Sequence, residues 1–327
     1  MISLDKSQIN NLLRNTSSLN VCVIGDCMLD HYIWGDVERI SPEAPVPVVN
    51  IDKDTYRLGG ACNVALNLRQ MGCNVSLMGL IGQDAAGNML HQLLKESGIT
   101  VAEDNFNREI RTIVKTRVIV RNQQLCRLDR ESFFTEGQSE CLMALLRTTI
   151  QNFDAVIVSD YNKGTVSQAL LDLLVELKQQ KAFFLAVDPK PAHELEYNGV
   201  DLLKPNRSEA LQLSSVSPKP HAPFPLEAVA KRILERYHLK YLAITLGSDG
   251  LALLNADGEG RVYSAQDREV FDVSGAGDTA LAALVIAFCL KMPMEVAATF
   301  ANVASGIVVS KVGTAAVSLE ELRTYVQ

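Results

Sequence analysis

The chain has 327 residues, of which 47% are hydrophobic and 21% charged, a composition typical of a globular protein with a sizeable core. Its net charge of −7 at pH 7 argues against a general nucleic-acid binder, which would normally be basic. The N-terminus has no charged region followed by an apolar one, and the most apolar run, 279–290, is too short to span a bilayer. We therefore expect a cytoplasmic protein that binds neither nucleic acid nor a membrane.

Short apolar runs alternate with amphipathic stretches along most of the chain. Buried strands are predicted at 21–25, 154–159, 183–188, 199–206 and 241–247, and helices between them, for example at 166–180 and 226–237. This alternation predicts an α/β fold, with a doubly wound, mostly parallel sheet flanked by helices on both faces. Ligands of such sheets bind beyond the carboxyl ends of the strands. The polar residues that end these runs are Asp26, Asp160, Asp188, Asn206 and Thr245.

Two segments, about 31–57 and 110–130, have β-like alternation and few helix signals. We expect them to form a small antiparallel β-sheet lid beside the main sheet, with a turn at Asn122 and Gln123. No internal repeat or linker interrupts the chain, so residues 1–327 are predicted to be one domain with this lid. Edge strands of such a sheet often pair between subunits, which favours a homodimer.

The stretch 272–279 (DVSGAGDT) carries the most chemical information. Its small residues Gly275, Ala276 and Gly277 run directly into a helix-like segment that starts at Asp278. The start of a helix offers unpaired N–H groups and the positive end of the dipole, which together suit a phosphate. Asp278 could cap this helix or accept a proton from a nearby hydroxyl, and the isolated motif leaves both interpretations open.

Two other nucleotide-binding motifs are disfavoured. The spacing of Gly275, Gly277 and Ala280 imitates a dinucleotide fingerprint, but it lies near the end of the chain and lacks the following βαβ unit with an acidic residue. This position counts against a dehydrogenase. The sequence contains no G-x-x-x-x-G-K-[ST] motif, which excludes a P-loop kinase.

Four elements together resemble the ribokinase-like carbohydrate kinases, also called the PfkB family. They occur in the family's order and approximate spacing, at 59–65 (GGACNVA), 204–209 (KPNRSE), 245–250 (TLGSDG) and 272–279 (DVSGAGDT). The resemblance extends from about residue 21 to residue 313. It implies a ribokinase-like fold over the whole chain and ATP-dependent transfer of a phosphoryl group to a sugar.

Three further segments resemble the heptose 7-phosphate kinases, at 25–32 (GDCMLDHY), 39–48 (RISPEAPVPV) and 121–129 (RNQQLCRLD). This narrower resemblance implies phosphorylation of D-glycero-D-manno-heptose 7-phosphate at its anomeric hydroxyl to the 1,7-bisphosphate, on the route to ADP-heptose and the lipopolysaccharide core. The sequence ends at Gln327, so the resemblance is to the stand-alone kinase rather than to the form fused to a nucleotidyltransferase. The alternative is a ribokinase-like kinase for another sugar, sugar phosphate or nucleoside.

The resemblance also implies roles for individual residues around the acceptor hydroxyl. Asp278 would be the catalytic base, and the backbone amides of the three residues before it would stabilise charge on the transferred group. The residues expected to hold sugar hydroxyls are Asp26, Asp30, Gly59, Gly60 and Asn63. Asp30 has a second interpretation, in which it only braces the lid.

The nucleotide and ion sites are implied in the same way. The expected nucleotide-binding residues are Asn206, Arg207, Ser208, Glu209, Thr245, Gly247, Ser248, Gly250 and Asn302. Asn206 and Glu209 would place Mg²⁺ through water, although without the resemblance they are a helix start and its first-turn acid. Asp272 and Ser274, with backbone near 311–313, resemble a monovalent-cation loop, and the sequence leaves K⁺ binding open.

A substrate that already carries a phosphate requires cations, and 110–131 is rich in them. Alternation with a period of two places Lys115, Arg117 and Arg121 on one face of a strand. Guanidinium groups bind phosphate through paired hydrogen bonds. The predicted phosphate contacts are Arg117, Arg127 and Lys190, with Lys163 as a further candidate. A solvated face of the lid is the alternative for each of them.

Overall fold

The computed structural model describes residues 6–121, 123–131, 133–134, 136–219, 221–265, 271–311 and 313–326. Its α-helices are α1 (Lys6–Asn15), α2 (Ala61–Gln70), α3 (Ala85–Glu96), α4 (Glu136–Thr149), α5 (Gln168–Gln180), α6 (Arg207–Ser214), α7 (Leu226–Tyr237), α8 (Ala276–Cys289), α9 (Met294–Val308) and α10 (Leu319–Val326). None of the helices in this described part of the chain is long and apolar enough to cross a membrane.

The strands form three sheets, of nine, four and two strands. They are β1 (Asn20–Gly25), β2 (Cys27–Ile40), β3 (Pro47–Gly60), β4 (Asn74–Met78), β5 (Ile81–Gly82), β6 (Thr100–Val101), β7 (Phe106–Asn107), β8 (Ile113–Val120), β9 (Gln123–Arg130), β10 (Ala155–Ser159), β11 (Phe184–Asp188), β12 (Leu202–Leu203), β13 (Tyr241–Thr245), β14 (Leu251–Asn255) and β15 (Gly260–Tyr263).

The largest sheet has the order β15-β14-β13-β12-β11-β10-β1-β4-β6, and all its pairs are parallel except those of the β13-β14-β15 end. Its central strands are continuous apolar runs buried on both faces, as a parallel sheet between two helical layers requires. The predicted α/β fold, with a large mostly parallel sheet flanked by helices, is confirmed.

One predicted strand is much shorter than expected. The run 199–206 forms only two ladder residues, Leu202 and Leu203. Gly199 has a positive φ of 87° in the preceding turn, and Pro205 lacks the N–H that would continue the ladder. The chain therefore leaves the sheet early, and Lys204 stands at the edge where the other parallel strands end.

The four-stranded sheet, with the order β3-β2-β8-β9, contains the two segments predicted to form a lid. We refer to it as the lid sheet. Its outer pairs are antiparallel, as predicted, but β2 and β8 run parallel, because the chain crosses the main sheet between them. The turn predicted at Asn122 and Gln123 falls on Asn122, which lies outside the described residues. The strand β3 continues directly into α2, which ties the lid sheet to the main sheet.

Candidate active site

Polar side chains follow the parallel strands at one edge of the main sheet, as the sequence predicted. Asp26 comes directly after β1, Asp160 directly after β10, and Asp188 ends β11. Backbone bonds link their loops, since the N–H of Asp26 donates to the carbonyl of Ser159 and that of Asp160 donates to the carbonyl of Asp188. The helix α8 begins at this edge, so its first turn faces the strand ends.

Asp278 lies in the first turn of α8, which begins two residues earlier than predicted because Gly275 takes a left-handed conformation at φ 82° and caps it. The side chain of Asp278 is buried, with the residue 6% exposed. Asn63 donates from Nδ2 to Oδ2 at 2.6 Å, and the hydroxyl of Tyr161 donates to Oδ1 at 3.3 Å. Both carboxylate oxygens are therefore oriented by neighbouring donors, and neither caps the helix.

A buried chain of polar groups stands behind this carboxylate. Asn67 donates from Nδ2 to the carbonyl of Asn63, and the hydroxyl of Thr279 donates to Oδ1 of Asn67. A Cβ at Gly275 would lie 2.7 Å from Nδ2 of Asn63, so only glycine fits there. Asn63 is fully buried, and its amide donates to Asp278; its binding of sugar hydroxyls stays a prediction.

The electrostatic surroundings make Asp278 a basic carboxylate. Burial, reinforced by the negative charge of Asp188, raises the pKa of Asp278 to about 7. The hydrogen bond from Asn63, the charge of Lys204 and the hydrogen bond from Tyr161 act in the opposite direction. A base whose pKa lies near neutrality is well suited to accept a proton from an alcohol during a reaction at pH 7.

Lys204 is a site residue to which the sequence interpretation gave no role. It is 3% exposed, and its Nζ lies 3.0 Å from Oδ1 of Asp188. A Cβ at Gly277 would lie 3.3 Å from this Nζ, so the ammonium rests against the amide-rich start of α8. Burial lowers the pKa of Lys204, but attraction to Asp188 outweighs it and the pKa is raised, which keeps the lysine charged. The sequence feature that could have identified Lys204 is the occurrence of a lysine inside the apolar run 199–206.

Asp26 is bound by the backbone of the loop after β10. Its carboxylate is fully buried and accepts three backbone N–H groups, from Tyr161 at 2.8 Å, Lys163 at 3.1 Å and Thr165 at 3.2 Å. Three donors occupy part of the acceptor capacity of this carboxylate, and its contact with sugar hydroxyls stays a prediction. Asp26 thus fixes the loop after β10, and it acts on the site through the residues of that loop.

Asp30 and Gly59, both predicted to hold sugar hydroxyls, lie on the lid sheet. Asp30 pairs through Oδ1 with Nη1 of Arg117 at 2.6 Å and accepts the Thr314 hydroxyl at 3.2 Å. A Cβ at Gly59 would come within 2.8 Å of its Oδ2, and Gly60, at φ 57°, turns the chain into α2. Asp30 therefore braces the lid, which was the second interpretation of this residue, and Arg117 is already paired.

A group of basic side chains lies where the lid sheet faces Asp278. The register pairs Asp30 with Lys115 and Lys115 with Asp129, so these residues share one face of the sheet. Nζ of Lys115 lies 5.6 Å from the ring centroid of Tyr161, the tyrosine that touches Asp278. Lys163, from the loop after β10, pairs with Glu131 at 2.9 Å. We call Lys115 and Lys163 the lysine pair.

The other basic residues predicted to bind phosphate do not belong to the lysine pair. Arg127 is opposite Arg117 in the register, but its side chain is 51% exposed and pairs with Asp129 on its own strand. Arg121 leaves the predicted face, because β8 ends at Val120 after a register shift and Arg121 turns outward to Asp36. Lys190 pairs with Glu209 at 3.3 Å, which places it beside the predicted nucleotide segment instead of the lid.

Asn206 and Glu209 form a reciprocal capping box at the start of α6. The amide oxygen of Asn206 accepts the N–H of Glu209, and Oε2 of Glu209 accepts the N–H of Asn206. The hydroxyl of Ser208 adds a bond to the same amide oxygen. The interpretation as a helix start and first-turn acid is therefore correct, and it leaves a metal role open, since a carboxylate has further lone pairs.

The other predicted nucleotide residues gather along the same edge. Thr245 ends β13 and bridges to Asn206, and a short 3₁₀ turn with Gly247 and Ser248 follows it, closed by Gly250 at φ 99°. Arg207 pairs with Asp249 of this turn. Asn302 lies farther along, where its Nδ2 donates to the carbonyls of Tyr263 and Ser264.

Asp272 organises the loop that precedes α8. Its carboxylate accepts the N–H of Ser274 at 2.8 Å and that of Gly313 at 3.0 Å. Gly313 precedes Thr314, which bonds to Asp30 and, through its N–H, to the hydroxyl of Tyr32. This loop is thereby connected to the lid sheet. The role of Asp272 and Ser274 in holding a monovalent cation stays a prediction.

The fit of the site to Mg²⁺ can be judged from its donors. No group of three or more His, Cys, Asp or Glu side chains with metal-binding geometry occurs among the residues placed by the structure. The carboxylates of Asp188 and Glu209 lie close enough for their charges to interact. Oxygen donors of this kind, too few for a protein cage, suit a magnesium ion that keeps waters and is completed by nucleotide phosphates.

Comparison with known proteins agrees with this geometry. Residues 18–322 match the pfkB family carbohydrate kinase profile. The chain is 42% identical over 313 residues to the bifunctional protein HldE of Desulfatibacillum aliphaticivorans, covering 95% of this chain and 64% of that protein. It is 40% identical over 321 residues to the bifunctional protein HldE of Trichlorobacter lovleyi, covering 98% and 65%. The chain thus spans a little under two thirds of these relatives.

Solved structures share the fold at lower sequence identity. Phosphofructokinase-2 from Escherichia coli, in complex with substrates and products, superposes with a TM-score of 0.76 at 18% identity, covering 94% of this chain and 98% of that one. Ribokinase from Thermotoga maritima superposes with a TM-score of 0.71 at 20% identity, covering 94% and 99%.

Fold and site together define a ribokinase-like sugar kinase. The chain belongs to the pfkB family of carbohydrate kinases, and it is a phosphotransferase whose acceptor is an alcohol group of a carbohydrate.

Proposed function

We propose that this kinase uses ATP to phosphorylate the anomeric hydroxyl of D-glycero-D-manno-heptose 7-phosphate, giving the 1,7-bisphosphate. The product would feed ADP-heptose formation for the lipopolysaccharide core, in the cytoplasm. The segments 25–32, 39–48 and 121–129 support this substrate, and so do the relatives whose names include HldE.

The observation that carries the proposal is the lysine pair, which lies beside the proposed base, Asp278, on the side of the lid sheet. Lys115 is half-buried and approaches Tyr161, whose hydroxyl bonds to Asp278. Burial lowers the pKa of Lys115, while the carboxylates of Asp129 and Asp30 raise it less strongly. A partly desolvated ammonium gains from a second anion more than a solvated one does. A sugar that bears a distal phosphate would supply that anion.

The reaction requires a proton acceptor at the attacking oxygen. Asp278 takes the proton of the acceptor hydroxyl as that oxygen forms a bond to the γ-phosphorus of ATP, and the bond from phosphorus to the bridging oxygen of ADP breaks. The charge that spreads over the transferred group faces the amides of residues 275–277 and the ammonium of Lys204. These groups are fixed before the reaction, so they stabilise that charge without reorganisation.

Asn206 and Glu209 would hold Mg²⁺, through water and in company with Asp188. The ion would neutralise charge on the nucleotide phosphates. Asp272 and Ser274 would hold a monovalent cation, which a comparison of turnover in potassium and sodium salts would test. For the nucleotide itself we propose the edge from Arg207 to Gly250, with Asn302 beside it.

The test of the substrate is ADP release with Mg²⁺ and ATP against heptose 7-phosphate, unphosphorylated heptose, fructose 6-phosphate, ribose, adenosine and no sugar. Release with heptose 7-phosphate alone supports the proposal. Release that is greatest with another acceptor would keep the kinase and reject the heptose assignment.

One variant and a matched control test the position of the substrate phosphate. Lys115→Met should raise the KM for heptose 7-phosphate roughly tenfold or more, because a hydrogen bond to a charged group contributes about 1.5–3 kcal/mol, and it should leave the KM for ATP unchanged. The matched control is Lys231→Met, on an exposed face of α7. Equal KM values for Lys115→Met and wild type would contradict the lysine pair as the phosphate site.

We also propose a homodimer formed through the lid sheet. The outer strands β3 and β9 are edges of that sheet, and exposed apolar side chains, Ile40, Ile51, Leu125 and Leu128, lie on its strands. Light scattering after size exclusion would test it, with Leu128→Lys as the variant expected to give monomers.

A further inference from the structure

Tyr161 lies where the lid sheet meets Asp278, and the reaction proposed above assigns no task to its hydroxyl. Its backbone N–H donates to Oδ2 of Asp26 at 2.8 Å, which fixes the residue after β10. Its hydroxyl reaches Oδ1 of Asp278 at 3.3 Å, and the ammonium of Lys115 lies 5.6 Å from its ring centroid. One side chain therefore touches both the carboxylate and the lid.

The hydroxyl can act only as a donor toward Asp278. Burial, followed by the negative charge of Asp278, raises the pKa of Tyr161 well above its usual value, so the phenol stays protonated. Asn63 already occupies one position on Oδ2. With Tyr161 on Oδ1, each carboxylate oxygen has one fixed donor and retains a lone pair for the proton of the substrate.

We propose that Tyr161 is a positioning residue, whose hydroxyl fixes the plane of the Asp278 carboxylate for proton abstraction and whose ring supports Lys115 of the lid. This inference rests on the proposed role of Asp278 as the base. It also gives Asp26 a function, since Asp26 holds the backbone of Tyr161. The ring contact is a cation–π interaction, which orders the lysine without neutralising it.

The other charged groups around Asp278 lie on elements other than the loop that carries Tyr161. Asp188 and Lys204 face the carboxylate from the ends of β11 and β12. Asp30 and Lys115 belong to the lid sheet and lie near Tyr161. Removal of the Tyr161 hydroxyl leaves all four in place. A change in titration after that removal can therefore be assigned to the lost hydrogen bond.

The test is Tyr161→Phe, which removes one oxygen at constant shape. We expect kcat to fall roughly tenfold, as the loss of a hydrogen bond to a charged group predicts, with the KM for ATP unchanged. The acid limb of kcat/KM should move to higher pH, because a hydrogen bond donated to a carboxylate favours its ionised form. The acceptor is heptose 7-phosphate or, if the panel selects another acceptor, that one.

Tyr197→Phe is the matched control. Tyr197 is also buried, and its hydroxyl has no hydrogen-bond partner among the residues included in the structure, so this variant should match wild type in kcat and in the acid limb. Tyr161→Leu removes the ring as well, and it should further raise the KM for the sugar phosphate severalfold through the loss of support for Lys115.

An acid limb for Tyr161→Phe that coincides with wild type would overturn the proposal, even if kcat falls, because a purely structural defect lowers turnover without changing the titration of Asp278. Asp278→Asn, measured in parallel, tests the role of Asp278 as the base separately from the role of Tyr161. If Asp278→Asn retains turnover, the base assignment fails. If it is inert while Tyr161→Phe behaves as wild type, only the role of Tyr161 fails.

Discussion

The surroundings of Asp278 and the face of the lid sheet hold their charges in different ways. Asp278 is held by Asn63, 215 residues away in the sequence. The neighbouring groups Tyr161, Asp188 and Lys204 are buried or partly buried, and each bonds to another element. Exposed charges on the lid are held more loosely, as is that of Arg127, which pairs with Asp129 two residues along its strand. The first arrangement is fixed before substrate arrives, which suits stabilisation of a transition state. The second exchanges partners at little cost, since exposed ion pairs are weak.

The largest expected effect is on turnover, at Asp278. Asp278→Asn removes the proton acceptor at nearly constant shape, so kcat should fall by about 10²–10⁴-fold, the range for general bases. Folding, measured by circular dichroism, and sugar binding, measured by calorimetry, should be retained. Near-normal turnover would show that the fixed arrangement around Asp278 serves the structure and not proton transfer.

The second effect is the pH dependence of activity. The pKa of Asp278 is raised to about 7, so the carboxylate gains a proton as the pH falls through that value and can no longer accept one from the sugar. We expect kcat/KM to fall by about tenfold per pH unit well below 7, and by roughly 50-fold between pH 7, where half of the carboxylate is ionised, and pH 5. A profile that stays flat to pH 5 would contradict the raised pKa.

Stability should move in the opposite direction to activity. A buried carboxylate whose pKa is raised on folding opposes the folded state when it is ionised, and this cost disappears as the pH falls through its folded pKa toward its unfolded pKa. The free energy of unfolding of Asp278→Asn should therefore exceed that of wild type at pH 8 by up to about 4 kcal/mol. The difference should vanish near pH 4, as denaturant unfolding at the two pH values would measure.

Two arginines that face each other on the lid sheet differ in burial. The side chain of Arg117 is 16% exposed and pairs with buried Asp30, whereas that of Arg127 is 51% exposed. Arg117→Ala leaves a buried carboxylate unpaired, so it should lower the Tm and raise the KM for the sugar phosphate about tenfold. Arg127→Ala should change this KM about twofold at most and leave the Tm unchanged, because exposed pairs contribute little.

Steady-state kinetics with each substrate varied in turn, together with thermal unfolding, would measure both arginine variants. Equal changes of Tm and KM in the two variants would show that the buried Arg117 and the exposed Arg127 do not differ in importance. An equal rise in the KM for ATP would place neither arginine at the sugar phosphate.

The smallest effect concerns Asn206, which caps α6. Asn206→Ala removes the cap and should cost about 1 kcal/mol of stability, as for other N-caps. Asn206→Asp keeps the cap, so its Tm should match that of wild type, while an added charge beside the proposed Mg²⁺ position should change the Mg²⁺ dependence of turnover. If both variants keep wild-type Mg²⁺ dependence, Asn206 is a cap alone.

Several features of the site could be predicted because they are encoded locally. The strand ends that carry Asp26, Asp160 and Asp188 follow apolar runs, and α8 begins after a run of small residues. The partners of these groups could not be predicted. The loop after β10 was recognised in the sequence, but its role was assigned to Lys163, while the side chain that reaches Asp278 is that of Tyr161. Nothing in the local pattern separates the two.

The sequence by itself determined the α/β class, the edge of the sheet at which the site forms, and the family to which the chain belongs. Only the tertiary structure decided how each charge is used. It buried Asp26 under three backbone donors, turned Asn63 toward Asp278, paired Arg117 with Asp30 and set Lys204 against Gly277. The physical reason is that hydrophobic periodicity is a property of neighbours in the chain. The role of a buried charge depends on the donors and charges that folding brings to it from distant segments.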